Sequence, residues 1–272
     1  MTSALMLVAH GSRDPRHAAT VAAIADRVRA QRPDLAVAPA FLDFDHPGPP
    51  ECVDVLAAGG ASDVVAVPLL LTSAFHDKVD LPAVLRADHG VAVRRSAVLG
   101  PSRLLVRALE RRLAEAGVRR VDRASTGLVL AAAGSTDPDA VAVIRRIARV
   151  WAKSGWRAVV PAFATGSSPT GVPAPEDAVR ALRADGVRRV AVARYVICPG
   201  RLSDRIARGA ADADVVAAEL GDAPELVRLV LDRYRATARL RPRAAGTTWS
   251  GSSPLLAADR GGAARPVPRG RR

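Results

Sequence analysis

Residues 4–15 read ALMLVAHGSRDP, and residues 127–138 read GLVLAAAGSTDP. In each, a short apolar run meets Gly-Ser and then Asp-Pro. An apolar run without polar alternation suits a strand buried on both faces. The Asp that follows can cap a helix, and the Pro fits its first position. The correspondence continues downstream: Pro39-Ala40-Phe41 matches Pro161-Ala162-Phe163, and Asp77-Lys78-Val79 matches Asp204-Arg205-Ile206. Order is kept while the offset drifts only from 122 to 127. This is the signature of a duplicated half of about 120 residues, an ordinary domain size.

Working outward, the first half carries strands over 5–9, 36–41, 64–71 and 91–98, and the second over 128–133, 158–163, 190–197 and 215–218. Amphipathic stretches lie between them. After Asp14 and Pro15, for example, Ala18, Val21, Ala22, Ala25 and Val28 recur at helical spacing. Pro101 opens a further helix, closed by Gly117. Alternating β and α units predict an α/β protein of two duplicated lobes, each a four-stranded parallel sheet flanked by helices. The expected division is a lobe over 1–123, a lobe over 124–238, and a disordered Arg/Gly/Pro-rich tail over 239–272.

Composition narrows the function classes. The chain has 272 residues, of which 49% are hydrophobic and only 3% aromatic, so Ala, Val and Leu must fill the core. Cys52 and Cys198, the two cysteines, are too few for a disulfide framework, a zinc ribbon or a cysteine-bound iron–sulfur cluster. The amino-terminal apolar run is short and lacks a basic start, and no stretch approaches a membrane span, so a cytoplasmic protein away from membranes is expected. The net charge is +13, and seven arginines against Asp259 in the last 32 residues supply six of those charges. With one aromatic, Trp249, in that stretch and no recognisable binding module, nucleic acid is not the expected partner. The remaining excess suits a polyanionic small molecule.

In an open parallel sheet, ligands bind beyond the carboxyl ends of the strands, where strand order switches. In the order 2-1-3-4, the first and third strands are neighbours. His10 would then face His76 across one crevice, with Asp43 beside them. Two imidazoles and a carboxylate with open coordination positions make a divalent-metal site. His17 falls within the first helix and reads as surface or structural. His46 is at most a peripheral contact, and His89 is a turn residue. Ser12 reads first as a helix cap and second as a substrate contact; Arg13 and Lys78 flank the same crevice.

LVAHGSRDP, then FLDFDHP, then VPLLLTSAFHDKVDLP, in that order, resembles the sirohydrochlorin chelatase family over about residues 4–238. The family pattern is a strand ending in HGSR, a strand ending in FLE, and PLLL followed by a His and D-[IL]-P. The resemblance implies a class II chelatase of the long, two-lobed form, which inserts Fe2+ or Co2+ into sirohydrochlorin on the way to sirohaem or cobalamin. It implies that His10 and His76 bind the metal with Asp43, that the cleft between lobes takes the macrocycle, and that the metal is a substrate with no permanently bound cofactor. A monomer is expected. The family's Glu is Asp43 here, one methylene shorter, so its carboxylate reaches an ion more readily through a water. In the second half His10 aligns with Ala133 and His76 with Ser203, so one metal per chain is expected. The matching loop offers Arg194, Arg201, Arg205 and Arg208, of which Arg201 and Arg205 are the candidates to hold the substrate's carboxylates. Iron and cobalt both remain open. Two rival readings share these residues: a non-catalytic metal or tetrapyrrole carrier, and an α/β phosphatase, disfavoured because Ala9 stands where that chemistry wants an arginine.

Overall fold

The computed structural model describes residues 3–72, 90–166 and 170–239. It contains two four-stranded sheets. The first is built from β1 (Ser3–Ala9), β2 (Val37–Phe41), β3 (Asp63–Pro68) and β4 (Ala92–Arg95), in the order β2-β1-β3-β4. The second is built from β5 (Thr126–Ala132), β6 (Ala158–Phe163), β7 (Arg189–Tyr195) and β8 (Val215–Val216), in the order β6-β5-β7-β8. Every pairing is parallel. The helices are α1 (Pro15–Gln31), α2 (Pro49–Ala58), α3 (Arg103–Glu115), α4 (Pro138–Ala152), α5 (Pro175–Ala184), α6 (Arg201–Gly209) and α7 (Pro224–Ala238). A 3-10 turn over Arg120–Ser125 leads into the second sheet.

The duplication is visible in the loops. Asp14 caps α1 by accepting from Arg16 N at 3.0 Å, and Asp137 caps α4 by accepting from Asp139 N at 2.9 Å. Each cap is braced by the serine two residues earlier. Asp14 N donates to Ser12 Oγ and Asp137 N to Ser135 Oγ, both at 3.1 Å. The glycine before each serine is left-handed, with φ of 94° at Gly11 and 111° at Gly134. One expectation fails locally: Pro101 does not begin α3. Ser102 is its cap, accepting from Leu104 N at 3.2 Å, because a hydroxyl can satisfy an orphan amide and a proline ring cannot.

Side-chain alternation sorts the strands between layers. Leu5, Leu7 and Ala9 of β1 join one apolar cluster with Leu128, Leu130 and Ala132 of β5. The intervening Ala4, Met6 and Val8 turn the other way, toward Cys52, Val53 and Leu56 of α2. Val129 and Ala131 likewise turn toward Ala178, Val179 and Leu182 of α5. The shared cluster runs between the two sheets, and residues 1–240 form one compact unit.

The cut at 123/124 separates the sheets but not the helices. α3, from the first half, packs on β7 of the second sheet, and α7, from the second half, packs on β3 and α1. The two exchanged helices also pack on each other, with Arg111 on α3 paired to Glu225 on α7 at 2.7 Å. Arg112 of α3 donates to Leu220 O at 3.0 Å, and Arg233 of α7 donates to Val98 O at 2.8 Å. A boundary placed by sequence continuity cannot register such a crossing, because each helix keeps its local pattern whichever sheet it covers. Among the described residues, no helix is long and apolar enough to cross a membrane. The residues of the expected tail from 240 onward lie outside the described residues.

Candidate functional site

The carboxyl ends of β1, β3, β5 and β7 open into a single cleft of about 1190 Å³. Its first-lobe wall includes His10 to Asp14, His17, Phe44 and Leu69 to Thr72; its second-lobe wall includes Ala133 to Ser135 and Val196 to Asp204. At its floor, Tyr195 Oη of β7 lies 3.5 Å from Leu71 O beyond β3. Gly100 makes that approach possible, since a Cβ there would fall 2.1 Å from Leu71 O. At one edge Arg16 spans the lobes, with Nη2 at 2.6 Å from both Asp14 Oδ2 and Asp204 Oδ2.

His10 follows the last residue of β1 and is exposed. The β1–β2 ladder runs on past the strands, with Leu42 N donating to Ala9 O at 3.0 Å and Asp43 N to His10 O at 2.9 Å. This closeness depends on Gly11: a Cβ there would lie 1.7 Å from Asp43 O, in a backbone conformation that side chains rarely adopt. The glycine thus presses the His10 loop onto the loop after β2. Asp43 is exposed and accepts from its neighbour Phe44 N at 2.9 Å, and it is not part of the cleft wall. Asp45, which the motif reading passed over, reaches the His10 loop instead, accepting from Ser12 N at 3.0 Å. Ser12 lines the cleft with its hydroxyl already engaged by Asp14 N. His76 and Lys78 lie outside the described residues, as does His89.

The loop after β2 holds an unusual residue. Phe44 has φ of 64°, the left-handed region, where a bulky side chain is an outlier. It is nevertheless 50% exposed, and its ring stands edge-on to His10 with centroids 6.4 Å apart. The Arg13 guanidinium lies over it, 5.3 Å from the ring centroid. No signal in the motifs marked Phe44, apart from its being an aromatic residue in a chain that has few.

His17 also lines the cleft, packed against Phe41 with centroids 6.4 Å apart. Its Nδ1 is buried without a hydrogen-bond partner among the described residues, and burial pushes its pKa below the ordinary imidazole value. Cys198 lines the cleft as well. Burial, with the charge of Glu219, pushes its thiol up to about 12, so it stays protonated at neutral pH. His46 is exposed, with Nδ1 3.9 Å from Glu51 Oε2.

In the second lobe the arginines divide. Arg201 and Arg208 line the cleft and have no side-chain partner among the described residues. Arg205, expected to meet substrate with Arg201, points elsewhere: Nη1 donates to Glu176 Oε2 of α5 at 3.0 Å, and it is not in the cleft wall. Glu176 on α5 draws Arg205 off the opening, whereas Arg208, further along α6, still lines the cleft. Arg194 is structural, held by Glu219 at 2.7 Å, Ala217 O at 2.6 Å and Ser203 Oγ at 3.0 Å. Ser203, at the position aligned with His76, is buried in that network. Among the described residues, no three His, Cys, Asp or Glu side chains cluster as a metal site.

The CbiX family model matches the chain twice, over residues 4–116 and 127–237. The chain belongs to the CbiX family. The double match also marks the internal duplication in this CbiX-family chain. It is 29% identical over 218 residues to a sirohydrochlorin cobaltochelatase of Priestia megaterium, covering 74% of this chain and 66% of that protein. It is 37% identical over 86 residues to a sirohydrochlorin cobaltochelatase of Methanothermobacter thermautotrophicus, covering 32% of this chain and 59% of that protein. The matched stretches thus span less than two thirds of these relatives' own length. Among solved structures, SirB from Bacillus subtilis with Fe3+ superposes with a TM-score of 0.73 at 25% identity, covering 88% of this chain and 96% of that one. The family expected from the three motifs and the paired parallel sheets are both borne out by these matches.

Proposed function

We propose that this CbiX-family protein inserts a divalent metal, Fe2+ or Co2+, into sirohydrochlorin. The carrying observation is His10, an exposed imidazole on a rigid strand end, opening into a cleft walled by both lobes. The cleft combines apolar walls, from Leu69, Ile144, Phe163 and Ile197, with the guanidiniums of Arg13, Arg201 and Arg208. That pairing of surfaces suits a flat apolar ring edged with carboxylates.

In the proposed reaction His10 and His76 hold the incoming ion, and Asp43 steadies it through water or orients an imidazole. The ligand set His10, His76 and Asp43 extends the motif reading; His10 is the member at the cleft. Imidazole binds metal only when neutral. Insertion releases two pyrrole protons. As the ion passes to the ring nitrogens, the freed imidazole of His10 becomes a base beside the departing protons.

Ser12, Arg13, Lys78 and Arg201 are the proposed substrate contacts, and the second lobe supplies wall and charge with no metal of its own. The protein is proposed to act as a cytoplasmic monomer, its two lobes sufficing to enclose the ring, with lobes over 1–123 and 124–238 apart from the exchanged helices. The test is anaerobic insertion of Fe2+ and Co2+ into sirohydrochlorin, followed by the change in the macrocycle's absorbance. Acceleration over the uncatalysed rate is expected. Binding without turnover would make the protein a carrier instead.

Arg201→Ala is expected to raise KM for sirohydrochlorin about tenfold while changing kcat less than about twofold, because a carboxylate contact made equally in ground and transition states is uniform binding. Steady-state kinetics checks this. An unchanged KM would remove Arg201 from the substrate contacts.

A further inference from the structure

Phe44 sits at the tip of the loop after β2, and that loop is held from several sides. Asp43 N donates to His10 O at 2.9 Å, Asp45 N donates to Asp43 O at 2.8 Å, and Phe41 N donates to Pro47 O at 3.0 Å. The two aspartates flanking Phe44 each accept a backbone amide, from Phe44 itself and from Ser12. Phe44 is therefore kept in a left-handed backbone that glycine or asparagine would adopt more easily. Packing does not explain its side chain, since half of its surface is exposed. A disfavoured backbone bearing a large exposed aromatic, locked by neighbours, points to function.

What the ring faces indicates which function. It lines the cleft beside His10, with Arg13 over it. Leu202, also exposed at 37%, lines the same cleft from the first turn of α6. We infer that Phe44 is a positioning residue that seats the flat face of the tetrapyrrole next to His10, with the Arg13 guanidinium poised to take one of its carboxylates. An aromatic side chain gives a π face to stack on and loses little rotamer freedom. A guanidinium against it gains an acid partner without leaving the ring. The ring thus sets where the macrocycle's centre comes to rest relative to the imidazole. This inference rests on the proposed chelatase reading.

The test uses full-length protein, wild type and the variants Phe44→Ala, Phe44→Tyr and Phe44→Gly. The probes are metal-free sirohydrochlorin, followed by fluorescence quenching, and Co2+ alone, followed by calorimetry. For Phe44→Ala a roughly tenfold weaker sirohydrochlorin Kd is expected, with Co2+ binding as in the wild type. Phe44→Tyr should restore the Kd to within about twofold, since the ring is kept. Phe44→Gly should bind sirohydrochlorin as weakly as Phe44→Ala yet melt no lower than the wild type, because glycine relieves the left-handed backbone. That separation of binding from stability would not arise from a merely structural ring. If wild-type protein binds sirohydrochlorin and Phe44→Ala binds it equally well, the inference is overturned. If wild-type protein does not bind sirohydrochlorin, the chelatase reading fails and this inference falls with it.

Discussion

Replacing His10 with alanine should lower the rate of metal insertion by about a thousandfold or more while leaving the fold intact. The size follows from the two proposed roles lost together, a metal ligand and a nearby proton acceptor; general base catalysis alone contributes about 10²–10⁴. The fold should survive because His10 is exposed and lies just past β1. The second lobe already carries alanine at this place: Ala133 follows β5, with Gly134 and the Ser135–Asp137 brace intact beyond it. Alanine is thus compatible with this loop geometry. The measurement is single-turnover insertion of Co2+ under anaerobic conditions, alongside thermal melts of both proteins. Wild-type turnover in the variant would remove His10 from the site.

The largest expected stability effect is elsewhere, at Asp63. This residue is 3% exposed at the start of β3. Arg94 Nε of β4 donates to its Oδ1 at 2.8 Å, Arg94 Nη2 donates to Oδ2, and Ser3 Oγ of β1 donates to Oδ2 at 2.9 Å. The same guanidinium donates through Nη1 to Thr237 O at the end of α7, at 2.6 Å. One ion pair therefore joins three strands and the exchanged helix. Asp63→Ala breaks this buried ion pair from one side, a loss of roughly 3–5 kcal/mol. For a domain of this size that lowers Tm by about 10 °C. Asp63→Asn keeps hydrogen-bond acceptance at one oxygen and should cost less. Circular dichroism melts at neutral pH check the ranking; a shift below about 2 °C for Asp63→Ala would show that the pair contributes little.

Much of the architecture was legible because the signals were local. Strands buried on both faces read as apolar runs, and Asp-Pro announced α1 and α4 at the residues where they begin. The motifs likewise led to His10 and its cleft. Three features escaped for a common reason, which is that they arise between distant segments. The exchange of α3 and α7 leaves each helix's own periodicity unchanged. Arg205 shares its charge with Arg201, and only the position of Glu176 on α5 diverts it from the opening. Asp43 and Asp45 are chemically alike, and which one reaches the His10 loop depends on the turn between them.

The crossing of α3 and α7 means that neither half owns all of its covering. Severed between the halves, each piece would expose an apolar sheet face and carry a helix suited to the other. Two such pieces would regain what they lost only by trading ends, as in a swapped dimer drawn into a single chain. The cleft therefore opens between partners that grip one another from behind, and any widening of its mouth must be shared with that grip. A weak point in α7, far along the chain from His10, would be felt as a change in how closely the second wall stands to the first.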